Sequence, residues 1–290
     1  MIGAIIGDIV GSPYEFGNFK RKDFPLFSSA CDYTDDTIMT VAVAKALLLA
    51  REGDAGFRDL LVRQMQHFGQ KYPNPKGAYG GRFAQWLRSP DPQPYGSFGN
   101  GSAMRVSPCG LIAISMDECL ELAEASAVVT HNHPEGIKGA KAVAAAVFLA
   151  RSGAAKEEIR EYISENFYPL DQTLDEIRPG YRFDESCQGT VPQAIIAFLE
   201  SESFEDALRN AVSLGGDSDT IGAITGAIAW SFYWARCWDA PIPEDMKQIR
   251  DQAMLLLPED LRGVIAEFEE IAVHRHTAWL RIGLVGKIKI

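Results

Sequence analysis

The sequence predicts an all-α fold organised as a single domain. Apolar segments recur at helical rather than strand length, and alternating strand patterns are nearly absent. Loops rich in glycine, proline and aspartate separate these segments, and no obvious boundary divides residues 1–290. The segments that predict helices cover residues 37–50, 106–128, 138–151, 191–200 and 220–238.

The N-terminal segment carries glycines at a four-residue spacing. Gly3, Gly7 and Gly11 fall on one stripe of a helix, and Gly222 and Gly226 repeat the spacing in the last of the apolar segments. Such stripes allow helix backbones to approach each other closely. The first stripe is not a Walker phosphate loop, because no Lys-Ser or Lys-Thr pair follows it.

Two acidic motifs stand directly before apolar helices. Thr34-Asp35-Asp36 precedes the first long helical segment, and Asp217-Ser218-Asp219-Thr220 precedes the last. Both following segments are apolar on every face, as expected of central helices that other helices surround. The two motifs should therefore lie at buried helix N-termini.

Four carboxylates at buried helix ends predict a divalent metal site, because buried carboxylates repel each other unless cations neutralise them. Helix capping and the helix dipole account for one aspartate, but the two motifs contain more acid than capping requires. Oxygen ligands of this kind suit magnesium, manganese or calcium. Two cations about 3.5 to 4 Å apart, bridged by shared carboxylates, can activate a water and stabilise a leaving oxygen.

Two long loops, residues 72–101 and 168–190, are candidates for ligand contact. The first leads into Gly96-Ser97-Phe98-Gly99-Asn100-Gly101-Ser102-Ala103-Met104-Arg105, whose backbone N–H groups could cradle phosphate oxygens ahead of a helix or form a plain loop. Within this run, Phe98 either stacks on a base or packs on the core. The second loop offers Tyr181, Arg182, Gln188 and Gly189 as possible contacts.

Single residues add weaker signals. Glu15 follows a turn-forming segment, where its carboxylate reaches a site or faces solvent, and the residues alone favour solvent. His131 and His133 could bind a metal or a ligand, although two histidines do not complete a zinc site and a structural histidine is an equal alternative. His274 and His276 have no acidic cluster beside them, and no function is assigned to them.

Composition limits the function classes. Lys and Arg total 28 against 39 for Asp and Glu, and the net charge of -11 argues against broad binding to nucleic acid or to an anionic membrane. The 5 cysteines lie far apart, which is typical of reduced thiols in a cytosolic protein. Without a basic leader or an uncharged stretch of membrane-spanning length, we expect a cytoplasmic protein. A monomer is the default expectation.

Taken together, five motifs in order over residues 3–222 resemble the ADP-ribosylglycohydrolase family, which includes dinitrogenase-reductase-activating glycohydrolase. They are the early Gly-Asp segment with Glu15, Thr-Asp-Asp-Thr at 34–37, the glycine-rich run at 96–105, Thr-His at 130–131 and Gly-Gly-Asp-Ser-Asp-Thr at 215–220. The resemblance covers nearly the whole chain. It implies an all-α single domain, residues 1–290, with two magnesium or manganese ions at its centre.

The resemblance also implies roles for individual residues. Glu15 matches a glutamate that closes over the site, and either Glu15 or Asp36 would be the catalytic base. The implied substrate contacts include a diphosphate cradle, an aromatic near the adenine and a ribose or diphosphate contact, at Ser97, Phe98, Gly99, Asn100, Gly101, Ser102 and His131. The implied metal ligands are Thr34, Asp35, Asp36, Asp217, Asp219 and Thr220. Ser218 stands where Thr is frequent, between ligands, and some relatives carry Tyr in place of Phe98.

The activity that the resemblance implies is hydrolysis of the C1″ bond between ADP-ribose and a protein side chain, with arginine favoured and serine also considered. One rival is cleavage of a small conjugate such as O-acetyl-ADP-ribose, and another is an ADP-ribose binder without activity. Isoprenoid-synthase chemistry is also helical and magnesium-dependent. It requires Asp-Asp-x-x-Asp, however, and Met39 occupies the last of those positions.

Overall fold

The computed structural model describes residues 1–53, 56–235 and 241–285, and these form helices joined by loops. Within these ranges the only β-pairing consists of isolated bridges, so the all-α prediction is confirmed. The helices are α1 Ile2–Gly11, α2 Asp35–Glu52, α3 Phe57–Lys71, α4 Gly81–Trp86, α5 Gly101–Met104, α6 Ser107–Ile112, α7 Met116–Val128, α8 Pro134–Arg151, α9 Lys156–Asn166, α10 Leu174–Ile177, α11 Cys187–Leu199, α12 Phe204–Ser213, α13 Ser218–Ala235, α14 Glu244–Leu255 and α15 Glu259–Val285.

The centre of the fold is the contact between α1 and α13. A Cβ added to Gly7 would lie 1.8 Å from the carbonyl oxygen of Gly222, and one added to Gly3 would lie 2.2 Å from that of Gly226. The two backbones touch along the glycine stripes, as the spacing predicts. Because side chains are absent there, the N-terminus of α13 comes close to the C-terminus of α1 at Gly11, where the Ser218 hydroxyl donates to the Gly11 carbonyl at 3.0 Å.

Other helices enclose this pair. Helices α8, α11 and α12 pack against α13, while α2 packs against α1, α3 and α15. In α2, all residues from Asp36 to Ala44 are buried, so the prediction of a central helix that is enclosed on every face is confirmed over that stretch. Among the described helices, none has the length and apolarity that a membrane crossing requires.

Several boundaries differ from the sequence prediction. The single helix expected over residues 106–128 is wrong, because the chain breaks into α6 and α7. Helix α6 ends at Ala113, whose backbone is extended with a ψ of 146°. The Ser115 hydroxyl then caps the start of α7 by accepting a hydrogen bond from the Glu118 N–H at 3.1 Å. The long loops also contain short helices, α4 in the first and α10 in the second.

Some predictions extend past the described residues. Helix 220–238 is described as far as Ala235, and Cys237 lies outside the described ranges, as do the side chains of His274 and His276. The other four cysteines are buried free thiols, in agreement with the expectation of reduced cysteines.

Candidate active site

The first acidic motif begins α2 and is held in place by a buried carboxylate from α1. The Asp8 Oδ2 atom accepts from the backbone N–H groups of Thr34 and Thr37, both at 3.0 Å, and from the Thr37 hydroxyl at 2.5 Å. The Thr34 hydroxyl caps the helix by accepting from the Asp36 N–H at 3.2 Å. Asp8 therefore satisfies two N–H groups at the helix start, and it fixes the turn that carries Asp35 and Asp36.

The second acidic motif begins α13 after a turn that glycine makes possible. Gly215 and Gly216 have φ values of 69° and 71°, in the left-handed region. A Cβ on Gly216 would also lie 2.9 Å from the Arg182 carbonyl oxygen, so the turn is closed to larger residues. This turn delivers Asp217 and Asp219 to the buried start of α13.

The two motifs converge, as their sequence pattern predicts, and Glu15 joins them, as the family resemblance implies. The Thr220 hydroxyl donates to Asp36 Oδ2 at 3.3 Å across the two helix starts. Oxygen atoms of Glu15, Asp217 and Asp219 lie within 4.8 Å of one another. The expectation from the residues alone, that Glu15 faces solvent, is wrong, because Glu15 is half-buried and its carboxylate belongs to this cluster.

The carboxylates share a strongly perturbed environment. Burial, with the added charges of Asp219 and Asp8, raises the pKa of Glu15 to about 8. Burial raises the pKa of Asp8 and of Asp217 to about 6. The pKa values of Asp35, Asp36 and Asp219 are also raised well above the ordinary range, mainly by burial and further by the charges of neighbouring carboxylates. A bound cation would stabilise the charged form of these residues.

The residues fit a divalent metal. Asp36 Oδ1 and Asp219 Oδ1 are buried and accept no hydrogen bond within the described part of the chain. The ion pairs found among the described side chains include none of these aspartates. Buried carboxylate oxygens without donors are costly, and hard cations prefer such oxygen ligands.

Divalent ions should therefore stabilise the protein. At a free ion concentration of about 100 times the dissociation constant, Mg²⁺ or Mn²⁺ should add about 2.7 kcal/mol to the free energy of unfolding. Thermal melts after chelation and after ion replacement measure this. Equal melting temperatures with and without the ions would contradict the metal site, and potassium at the same ionic strength is the control.

The glycine-rich run and His131 form a second part of the cleft lining, which we call the donor wall. The Asn100 amide Nδ2 donates to Asp217 Oδ2 at 2.7 Å and to the Thr190 hydroxyl at 3.1 Å, which joins this wall to the acidic cluster. The two long loops also pair here, because the Asn100 N–H donates to the Glu185 carbonyl at 2.7 Å. Helix α5 has only 4 residues, so its dipole contributes little. Hydrogen bonds to a ligand here would have to come mostly from the backbone N–H groups and side chains of the loop.

Arg105, the last residue of the glycine-rich run, is linked to His131 through Thr130. The buried Arg105 guanidinium donates from Nη2 to the Thr130 hydroxyl at 2.9 Å, and that hydroxyl lies 2.7 Å from His131 Nδ1. The Thr130 oxygen therefore forms hydrogen bonds with both Arg105 and Nδ1, and these contacts hold the imidazole in place. Burial, together with Arg105, lowers the pKa of His131, and a Cβ on Gly101 would lie 3.3 Å from Nε2.

These groups face one cleft of about 490 Å³. Its lining contains most of the residues singled out by the sequence, namely Glu15, Asp35, Asp36, Ser97, Gly99, Asn100, Gly101, His131, Asp217, Asp219 and Thr220. The cleft lining thus combines the carboxylate cluster with groups that can donate hydrogen bonds, and Glu185 adds a further carboxylate.

Three predicted site residues lie outside this lining. Ser102 is fully buried and its hydroxyl donates to the Gly136 carbonyl at 2.7 Å, so its side chain supports packing beneath the cleft and the predicted ligand contact is wrong for that hydroxyl. Phe98 is exposed beside His133, with ring centroids 5.4 Å apart. Thr34 is fully buried as the cap of α2, with its hydroxyl 3.5 Å from Asp36 Oδ2.

Other predicted contacts have structural roles. His133 caps α8, because its Nδ1 accepts from the Glu135 N–H at 3.1 Å. The Tyr181 hydroxyl donates to the Gly189 carbonyl at 2.9 Å, and neither residue lines the cleft. Arg182 and Gln188 also lie outside the lining.

Sequence reasoning gave no site role to Asp8, Arg82, Glu185, Phe16 or Phe183. Asp8 carried a usable signal, since it is a single charge within the wholly buried helix α1. The other four line the cleft from loops or from the short helix α4, where no periodicity marks them.

The fold and the site together define a class: an all-helical protein with a buried carboxylate cluster that faces a donor-lined cleft. A family model described as ADP-ribosylglycohydrolase matches residues 1–273. The chain belongs to the ADP-ribosylglycohydrolase family.

Similar proteins agree with this assignment. An uncharacterised protein of Archaeoglobus fulgidus is 30% identical, over 79% of this chain and 84% of that protein. The ADP-ribosylarginine hydrolase Tri1 of Pseudomonas putida is 28% identical, over 80% and 69%, and the ADP-ribosylhydrolase ARH3 of Mus musculus is 26% identical, over 86% and 85%. A solved ADP-ribosylglycohydrolase-related protein complex has the same fold, with a TM-score of 0.59, 23% identity, and coverage of 88% and 96%.

Proposed function

We propose that this protein hydrolyses the C1″ bond of ADP-ribose attached to a protein side chain and releases ADP-ribose and the unmodified side chain. The observation that carries the proposal is one cleft whose lining combines a carboxylate cluster with the donor wall. ADP-ribose offers matching chemistry, because its diphosphate needs donors and its ribose hydroxyls suit a cation held by carboxylates.

The proposed metal centre holds two Mg²⁺ or Mn²⁺ ions. The ligands would be Thr34, Asp35, Asp36, Asp217, Asp219 and Thr220, and the unpaired buried oxygens of Asp36 and Asp219 support this assignment. When bound, such ions orient hydroxyls and water and stabilise negative charge.

The donor wall would bind and orient the substrate. In this proposal, Ser97, Gly99, Asn100 and Gly101 bind the diphosphate. His131 contacts a ribose or diphosphate oxygen. The Asn100 amide contacts Asp217, so diphosphate binding and the position of a metal ligand are coupled through one side chain. Phe98 would contact the adenine only from the rim, because it does not line the cleft.

The hydrolysis breaks the bond between C1″ and the side-chain atom. The oxygen of a water bonds to C1″, one water proton goes to a carboxylate of the enzyme, and the departing side chain takes up a proton. Glu15 or Asp36 is the proposed base, and the neighbouring carboxylates favour the positive charge that develops at C1″. Glu15 is half-buried at the opening of the cleft, which is suitable for a group that meets water and substrate.

Release of ADP-ribose tests the proposal. Peptides carrying ADP-ribosyl-arginine or ADP-ribosyl-serine, and O-acetyl-ADP-ribose, are incubated with Mg²⁺, Mn²⁺ or chelator. We expect metal-dependent release from a peptide conjugate. Release from O-acetyl-ADP-ribose alone would favour the small-conjugate alternative, and ADP-ribose binding without release from any conjugate would favour a non-catalytic binder.

A further inference from the structure

Two exposed phenylalanines form a pair at the opening of the cleft. Phe16 is 74% exposed and Phe183 is 43% exposed, yet their rings stack with centroids 5.7 Å apart and planes 27° apart. Both line the cleft, one directly after Glu15 and the other from the second long loop. Aromatic rings so exposed gain little from the core, so their faces are available to a ligand.

Two carboxylates belong to the same cleft lining as this pair. Glu15 and Glu185 line the same cleft, and neither forms an ion pair with any side chain that the structure describes. The lining contains two arginines, and both contact other groups of the protein. Arg82 lies over the Tyr95 ring at 4.7 Å, and Arg105 donates to the Gly101 carbonyl at 3.0 Å.

We propose that Phe16, Phe183 and Glu185 form a subsite for the guanidinium group of the modified residue, so that the acceptor is arginine. This inference rests on the proposed function and specifies its substrate class. A guanidinium is planar and weakly hydrated, stacks on aromatic faces, and makes paired hydrogen bonds to a carboxylate. The short side chain of serine carries no charge and no planar group that could use these contacts.

The position of the pair favours the acceptor over the adenine. Phe16 adjoins Glu15, whose carboxylate belongs to the cluster with Asp217 and Asp219. The scissile C1″ atom must lie at this cluster, and the leaving side chain departs from C1″. The adenine stands at the far end of the diphosphate, away from that bond.

The test compares Phe16→Leu, Phe183→Leu and Glu185→Gln with wild type on arginine and serine conjugates. For the arginine peptide, each variant should lower kcat/KM by about 5- to 30-fold, mainly through KM, because cation–π and carboxylate contacts are lost. The KM for the serine peptide and the affinity for free ADP-ribose, measured by calorimetry, should change less than twofold. Leu255→Ala and Glu157→Gln are controls outside the cleft, in α14 and α9.

Each other outcome overturns the subsite. A loss of ADP-ribose affinity in the phenylalanine variants would assign the rings to the adenine, and equal losses on both peptides would assign them a general structural role. Preference of the wild type for serine would overturn arginine as the acceptor while the proposed hydrolase stands. If no conjugate were hydrolysed, the proposed function would fail. In that case calorimetry would support the subsite only under two conditions. The ADP-ribosyl-arginine peptide must bind more tightly than free ADP-ribose, and the variants must abolish that difference in affinity.

Discussion

Asp219→Asn should lower the rate of ADP-ribose release by more than about a hundredfold. Removing a residue that only hydrogen-bonds to a metal ligand typically costs about 10- to 100-fold, so the loss of a ligand itself should exceed that range. Asp219 is almost fully buried at the start of α13, and its Oδ1 atom has no hydrogen-bond partner among the described residues. An asparagine has the same shape but lacks the charge that holds a divalent ion. The loss should therefore come from the metal site and not from the fold.

The same substitution should leave the metal-free protein at least as stable as the wild type. Burial and the nearby charge of Asp217 raise the pKa of Asp219, which means that its charged form is disfavoured when no cation is bound. Replacing it with a neutral amide removes this cost. The variant should also gain less stability from Mn²⁺ than the wild type does.

Assays of ADP-ribose release and thermal melts with and without Mn²⁺ measure both effects. The control is Asp117→Asn, because Asp117 occupies the same position in the first turn of α7 but is exposed and away from the cleft. Full activity of Asp219→Asn would refute its role as a ligand. A variant that is inactive because it is unfolded in the absence of metal would contradict the electrostatic argument.

Gly7→Ala should destabilise the fold by about 3 kcal/mol or more, at the upper end of overpacking costs. The added Cβ would lie 1.8 Å from the Gly222 carbonyl oxygen and 2.3 Å from its carbon, so two backbones must separate. Alanine improves helix propensity by about 1 kcal/mol, which is too little to compensate. The expected fall in melting temperature is about 6 to 12 °C.

Gly263→Ala is the matched control. Gly263 lies in α15, where an added Cβ would meet nothing within 4 Å, so the same substitution there should stabilise the protein by up to about 1 kcal/mol. Chemical denaturation with a two-state fit gives both values. If Gly7→Ala were neutral, the close contact of α1 with α13 would not contribute to stability as described.

The acidic motifs show how much of the site the sequence could predict. Thr34-Asp35-Asp36 and Asp217-Ser218-Asp219 each precede an apolar helix, and the structure brings both to buried helix starts in one cleft. This prediction succeeded because burial of the following helix can be read from its composition, and a motif at its first turn must share that burial. The glycine spacing succeeded for a similar reason, since a helix has a fixed period.

The helix break at residues 113–115 shows the opposite case. The hydrophobic pattern continues through it, and a local Ser115 cap, which the periodicity did not reveal, ends one helix and begins the next. Ser102 shows another limit. It lies in a run suited to ligand binding, yet its hydroxyl points to Gly136 because α5 turns it into the core.

The sequence by itself determined the helical class, the family resemblance and the residues of the acidic cluster, because composition, period and motif order are properties of a linear chain. The tertiary structure alone decided which distant groups meet. Asp8 supports the start of α2, Asn100 contacts Asp217, and Phe16 stacks on Phe183. Each of these contacts joins segments far apart in the chain, so no local pattern encodes it; it forms only when packing of the helices closes the intervening loops.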